Sequence, residues 1–215
     1  MAPRLRITAG IDLSASPRTT AICRIKWDGA VARAEFASAH GTDERIAETI
    51  RSAERTGIDA PFGWPQPFVA AVTAHAVSTE KLGVTAMRCA LALDAAQQVG
   101  ALIDRSGVTG AVCEAYPAGA LHAWGIDRTG YKQADNPDAR RRILRALRTR
   151  FPALDVDGRL VVATDHALDA LLCALVARAV LDKGTNRPES PEDLESARIE
   201  GWIHLPRRDW PAKVR

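Results

Sequence analysis

Three short apolar stretches of this chain each end on a carboxylate, and that repetition limits what the chain can fold into. Ile7-Thr-Ala-Gly-Ile-Asp-Leu13 closes on Asp12, and Arg55-Thr-Gly-Ile-Asp-Ala-Pro-Phe-Gly63 closes on Asp59. Val108-Thr-Gly-Ala-Val-Cys-Glu-Ala-Tyr-Pro117 carries Glu114 and stops at proline. Strands one, four and five of a parallel arrangement would leave the sheet at a common edge. Open α/β sheets place their ligands at that edge.

The remaining pattern supplies the sheet around these strands. Thr19 to Trp27 alternates partly with period two, Asp28-Gly29 is a hairpin turn signal, and Val31 to Ala39 returns as a third strand. Thr42 or Asp43 caps a helix to about Glu54, with Ile46 and Ile50 on its apolar face. Pro61, Gly63, Pro65 and Pro67 make the next segment an irregular loop bearing Phe62 and Trp64. Helices are expected over Val84 to about Asp104, Ala118 to Trp124, Asp138 to Arg150 and Thr164 to about Leu181. Residues 183–193 read as a loop, and 194–215 as a C-terminal extension with a strand-like Trp202-Ile-His-Leu. The expected architecture is α/β. An antiparallel three-strand meander adds parallel strands through right-handed crossovers, with helices on both faces, as one domain over 1–215.

Hydrophobic residues make up 47% of the chain, enough for a sizeable core, and the net charge of +3 is far from that of a polycation. The longest apolar run, Ala167 to Val180, contains Asp169 and Arg178 and is too short to span a bilayer. Cys23, Cys89, Cys113 and Cys173 show no CxxC or zinc spacing and are expected as buried thiols. With no signal-peptide pattern, a cytoplasmic location is expected.

A further acid sits where an acid is costly. Asp169 lies among Leu168, Ala170, Leu171 and Leu172, and Asp165 precedes it by one helical turn. Several acids converging on one edge need a cation. Hard Mg2+ or Mn2+, which favour oxygen ligands, fit such a set. Two such ions hydrolyse phosphodiesters by activating water and stabilising the leaving oxygen. Each acid also has a plainer reading. Asp12 and Asp59 suit turns, Glu114 suits an arginine partner, and Asp165 suits the first turn of a helix capped by Thr164.

The segments Gly10-Ile-Asp-Leu-Ser, Ile58-Asp-Ala-Pro-Phe-Gly, Glu114-Ala-Tyr-Pro-Ala and Asp165-His-Ala-Leu-Asp-Ala occur in that order. Gly130-Tyr-Lys and Glu200-Gly-Trp-Ile-His-Leu-Pro follow the same pattern of matches. Together they resemble the DUF429 family, whose members are predicted nucleases of the ribonuclease H-like superfamily. The resemblance implies a ribonuclease H-like mixed sheet. It also implies an acidic metal site of Asp12, Asp59, Glu114 and Asp169, joined by Asp165, with the first four catalytic. Residues Gln66 to Lys81 depart from the family pattern, being short and lacking an arginine- and Thr-Asp-containing segment.

Nucleic acid is the expected partner of such a site. Arg141 and Arg145, on an arginine-rich helix that also carries Arg140, Arg142, Arg148 and Arg150, read as a phosphate-backbone track or as a solvated face. Lys132 reads as a phosphate ligand or a loop lysine, and Trp64 as a base-stacking residue or a hinge aromatic. His166 reads more simply as a surface histidine of a first helical turn. Two other functions fit parts of the chain. One is a non-catalytic nucleic-acid binder or scaffold that keeps the fold. The other is an actin-like phosphotransferase, suggested by Gly-Ile-Asp-Leu-Ser but lacking a second glycine-rich phosphate loop.

Overall fold

The structure is a computed structural model that describes residues 6–29, 31–37, 40–64 and 83–211. The departure expected between Gln66 and Lys81 lies outside the described residues. The elements in chain order are β1 (Arg6–Asp12), β2 (Ala21–Trp27), β3 (Ala32–Phe36), α1 (Asp43–Ser52), β4 (Arg55–Asp59), α2 (Gly83–Gln98) and β5 (Val112–Ala115). They continue as α3 (Pro117–Ala123), α4 (Pro137–Arg150), β6 (Leu154–Asp155), α5 (Gly158–Ala163), α6 (Asp165–Leu181), α7 (Pro191–Glu200) and β7 (Ile203–His204).

These strands form one mixed sheet of seven, in the order β6-β3-β2-β1-β4-β5-β7. The expected meander is present: β1 pairs antiparallel with β2, and β2 with β3. The β1–β4, β4–β5 and β5–β7 ladders are parallel. Helices cover both faces. On one side, Ile11 and Ile58 pack with Ile46 and Ile50 of α1 and with Cys89 and Leu93 of α2. On the other, the interior is built on α6, with α3, α4 and α5 around it.

Because α6 is apolar on nearly every side, it is buried all round rather than along one stripe. Leu168, Leu171, Leu172 and Leu175 are fully buried, each contributing about 1.5–3 kcal/mol of transfer free energy. The helix also lies unusually close to the strands. A Cβ on Gly10 would collide with the Ala170 carbonyl oxygen, and one on Gly57 with that of Cys173. The two glycines face each other across β1 and β4, so they form the floor on which the α6 backbone rests.

Several boundaries differ from those expected. α2 ends at Gln98 rather than near Asp104, because Gly100 adopts a φ of 93° that a helix cannot continue through. β5 begins at Val112 rather than Val108. Gly107 and Gly110 take positive φ, and Asp104 accepts hydrogen bonds from the backbone N–H groups of Ser106 and Thr109, so this stretch is a pinned turn. The segment expected as loop and extension contains α7. Its start is a capping box in which Ser190 and Asp193 satisfy each other's backbone N–H groups. All four cysteines are free and buried, and no helix among the described residues is long and apolar enough to cross a membrane.

Candidate metal centre

Asp12 and Asp59 are direct partners in the β1–β4 ladder, two residues beyond the Gly10–Gly57 pair. Strand side chains alternate, so both acids point to the same face as the glycines, which is the face α6 covers. From the Ala170–Cys173 region that rests on the glycines, α6 runs back towards its N-terminus past Asp169. One helical turn rises about 5.4 Å. Two strand residues advance about 6.7 Å, so Asp169 is carried over the same strand ends. The α6 N-terminus, capped by the Thr164 side chain, therefore sits at the acids, where its dipole favours negative charge.

The result is a cluster in which one carboxylate oxygen each from Asp12, Asp59 and Asp169 lies within 4.8 Å of the others. Asp169 is 1% exposed and Asp12 8%, while Asp59 is half-buried. Two ionised acids at this separation repel by about 3.5 kcal/mol at an effective dielectric constant near 20. Three acids together therefore require cations. The chain supplies two. Lys132 Nζ lies 2.9 Å from Asp169 Oδ2, and His166 Nδ1 lies 2.6 Å from Asp12 Oδ2. Asp59 has no ion pair or hydrogen bond to its side chain among the described residues.

The titration of the groups follows this imbalance. Burial, then the neighbouring charges of Asp169 and Asp12, pushes Asp59 up to about 7. Burial raises Asp169 to about 6 against the pull of Lys132. Burial opposes the charge on Lys132, but Asp169 outweighs it and the ammonium is held more firmly than usual. The hydrogen bond to Asp12 raises His166. Asp169 Oδ1 and the Tyr131 hydroxyl are both buried and make no hydrogen bond of good geometry, although the hydroxyl lies close enough to Asp169 to help hold its charge.

A divalent ion fits this donor set. Opposite oxygens on Mg2+ or Mn2+, bound at about 2.1 Å, are about 4.2 Å apart, so the cluster needs only small side-chain adjustments. All the donors are hard carboxylate oxygens on rigid elements, and Asp169 Oδ1 is a buried acceptor with no hydrogen bond of good geometry. Such an atom costs stability unless a cation or water meets it. The three acids can hold a metal ion.

Other expected residues lie elsewhere. Glu114 is not in the cluster. In the β4–β5 ladder it pairs with Ile58, one position short of Asp59, so its side chain points to the opposite face. There it accepts a hydrogen bond from the Phe62 backbone N–H, and Gly201 at the end of α7 closes over it with a φ of 85°. Burial raises Glu114 to about 7, partly offset by the Phe62 N–H. Asp165 is in the first turn of α6 but outside the three-acid group. Arg141 pairs with Asp138, and with Arg145 it lines a groove beside α4. Trp64 is half-buried in the turn after β4.

Two residues that the sequence did not place among the site acids' partners belong to the centre, and His166 is not the plain surface histidine expected. His166 holds Asp12, and Tyr131 lies buried beside Lys132 with its hydroxyl titration raised by burial and then by Asp169. A faint signal for His166 existed, since it is three residues before Asp169 and so on nearly the same helix face. Arg140 is a third departure. It is not part of a solvated arginine face but is 2% exposed, and it donates to the carbonyl oxygens of Tyr131, Gln133, Ala134 and Val162.

Among known proteins, the profile of a family described as a protein of unknown function (DUF429) matches residues 10–193. No curated protein and no solved structure matches the chain.

Proposed function

The chain belongs to the DUF429 family, and from that premise we propose that it is a divalent-metal-dependent nuclease of ribonuclease H-like fold. The observation that carries this reading is the convergence of three strand- and helix-borne carboxylates, one oxygen of each within 4.8 Å of the others. The sheet layout supports it. A three-strand meander feeds parallel strands, with acids at the ends of β1 and β4 and a third on the helix that closes over them.

In this reading Asp12, Asp59 and Asp169 hold Mg2+ or Mn2+. When bound, the ion supplies Lewis acidity to a phosphoryl oxygen and lowers the pKa of coordinated water. The chain's own groups do the rest. Asp12 is oriented by His166, as ligating carboxylates are by their outer partners. Lys132 is half-exposed at the rim of the centre. It neutralises Asp169 and, from its exposed position, would be placed to meet a substrate phosphate. Asp59 is the most exposed of the three acids. The four buried free thiols suit a reducing compartment such as the cytoplasm.

A second reading has one observation in its favour. Lys132 and His166 already pair two of the three acids, as a fold that binds nucleic acid without cutting it could afford. Incubating 5′-labelled RNA and DNA oligonucleotides with the protein, in Mn2+ or in EDTA, separates the two. Metal-dependent cleavage that disappears in Asp12→Asn and Asp59→Asn supports hydrolysis. Intact oligonucleotides under all metal conditions reject it.

A further inference from the structure

Beside α4 and α5 runs a groove of about 1210 Å³. Its walls carry Arg141, Arg145 and Arg148 from α4 and Arg159 from α5, and Arg140 and Arg142 also contribute. Against these six cations stand two acids, Asp138 and Asp157, so the lining carries a net charge of +4. Arg141, Arg145 and Arg148 recur at helical spacing and share one face. The acids are partly committed: Asp138 to Arg141, and Asp157 to capping the start of α5. Arg145 and Arg159 are exposed and make no side-chain hydrogen bond or ion pair among the described residues.

Arg140 makes the positive charge a fixed property of the groove. Its four hydrogen bonds all go to neutral carbonyl oxygens, and no carboxylate pairs with it among the described residues. A guanidinium held only by carbonyl oxygens has no opposite charge set against it, so its charge stays part of the groove's field. The same bonds tie the groove to the metal centre. They hold Tyr131, Gln133 and Ala134 on one side and Val162 on the other. Ala134 and Ala163 line the groove. Lys132 is two residues from Ala134, and His166 is three from Ala163. At about 3.8 Å per residue, the groove lining comes within roughly 8–11 Å of both along the chain.

We propose that this groove binds a nucleic-acid strand by its phosphate backbone and delivers it to the acid cluster. The proposal rests on the hydrolytic reading above for what happens to the strand, but not for its binding. Arginine suits the task because its planar fork takes two phosphate oxygens at once. Arg141 and Arg145 are separated by about 6 Å of helix rise, near two steps of a stacked strand at about 3.4 Å each. Contacts between these guanidinium groups and phosphates carry no sequence information, so such binding is expected to be steeply dependent on salt.

The test measures binding of fluorescein-labelled 20-nucleotide single-stranded DNA, single-stranded RNA and the corresponding duplexes by anisotropy. It is done in EDTA, so hydrolysis plays no part. Arg145→Ala/Arg159→Ala should weaken binding at least tenfold and flatten the log–log salt dependence by about two. Arg145→Lys/Arg159→Lys should restore most of the affinity. Arg18→Ala/Arg51→Ala, which removes two exposed arginines outside the groove, should change it less than twofold. The proposal is overturned if wild-type protein binds none of the four ligands at low salt. It is also overturned if the two alanine pairs lose affinity equally, or if a glutamate 20-mer binds as tightly as the oligonucleotides. Comparing the four ligands shows whether single strands or duplexes are preferred. Loss of binding in the groove variant with no cleavage by the wild type would leave the groove standing and reject hydrolysis. Cleavage that is retained with groove-independent binding would do the reverse.

Discussion

Asp12 and Asp59 face each other across the parallel β1–β4 ladder, and only Asp12 has a cation against it. The unpaired member of this couple makes the centre costly to fold without metal, and that cost is measurable.

Asp59→Asn should make the metal-free protein more stable at pH 8 while removing Mn2+ binding. The folded state raises Asp59 from 3.8 to about 7, so the folded state binds the proton more readily than the unfolded chain. For the wild type, this group's contribution to stability therefore rises as pH falls below about 7, and levels off below about 3.8. Urea unfolding in EDTA should show the variant ahead at pH 8 and the gap narrowing by pH 5. A gap that is constant with pH would show that Asp59 is not held in this way.

Lys132→Ala leaves Asp169, 1% exposed, without its cation. Because the Lys132 side chain is 54% exposed, the loss should be moderate, about 1–2 kcal/mol in EDTA. Mn2+ should then bind several-fold tighter, since the competing ammonium is gone. Calorimetry checks both halves, and weaker Mn2+ binding in the variant would contradict the pairing argument.

His166→Ala should lower Mn2+ affinity by about tenfold through loss of the group that orients Asp12. His166→Asn, which keeps a side-chain donor, should recover part of the loss. Equal affinity in wild type and both variants would make the 2.6 Å contact with Asp12 irrelevant to the site.

Glu114→Gln separates the two faces of the sheet. Glu114 is sealed beneath Phe62 and Gly201, so this variant should bind Mn2+ within about twofold of wild type. Asp169→Asn should lose more than tenfold. Matching losses would return Glu114 to the ligand set.

The strand-end acids and the meander were legible from the sequence because each depends on local pattern: an apolar run, a turn, an acid. Asp169 was legible because a charge inside an apolar helix demands a partner. Glu114 was misplaced because the side of a sheet on which a residue falls is set by register, and one residue of offset against Asp59 reverses it. Asp165 and His166 are adjacent on α6, and spacing from Asp169 favours either. Only the packing of Gly10 and Gly57 against α6 fixes the helix phase and selects His166. Arg140 looks in sequence like any member of its arginine run. Its burial depends on carbonyl groups that converge from the Tyr131–Ala134 loop and from α5. The capping box at Ser190 was readable as a helix start, but neighbouring Gly, Asn and Pro residues pointed to a loop.

The most direct measurement of whether Asp12, Asp59 and Asp169 form one metal site is anomalous diffraction from crystals soaked in millimolar Mn2+. The account predicts a manganese peak bonded to all three carboxylates, with Lys132 Nζ withdrawn from Asp169. Crystals with no peak at these acids, or with Lys132 still seated on Asp169 and manganese bound elsewhere, would contradict it.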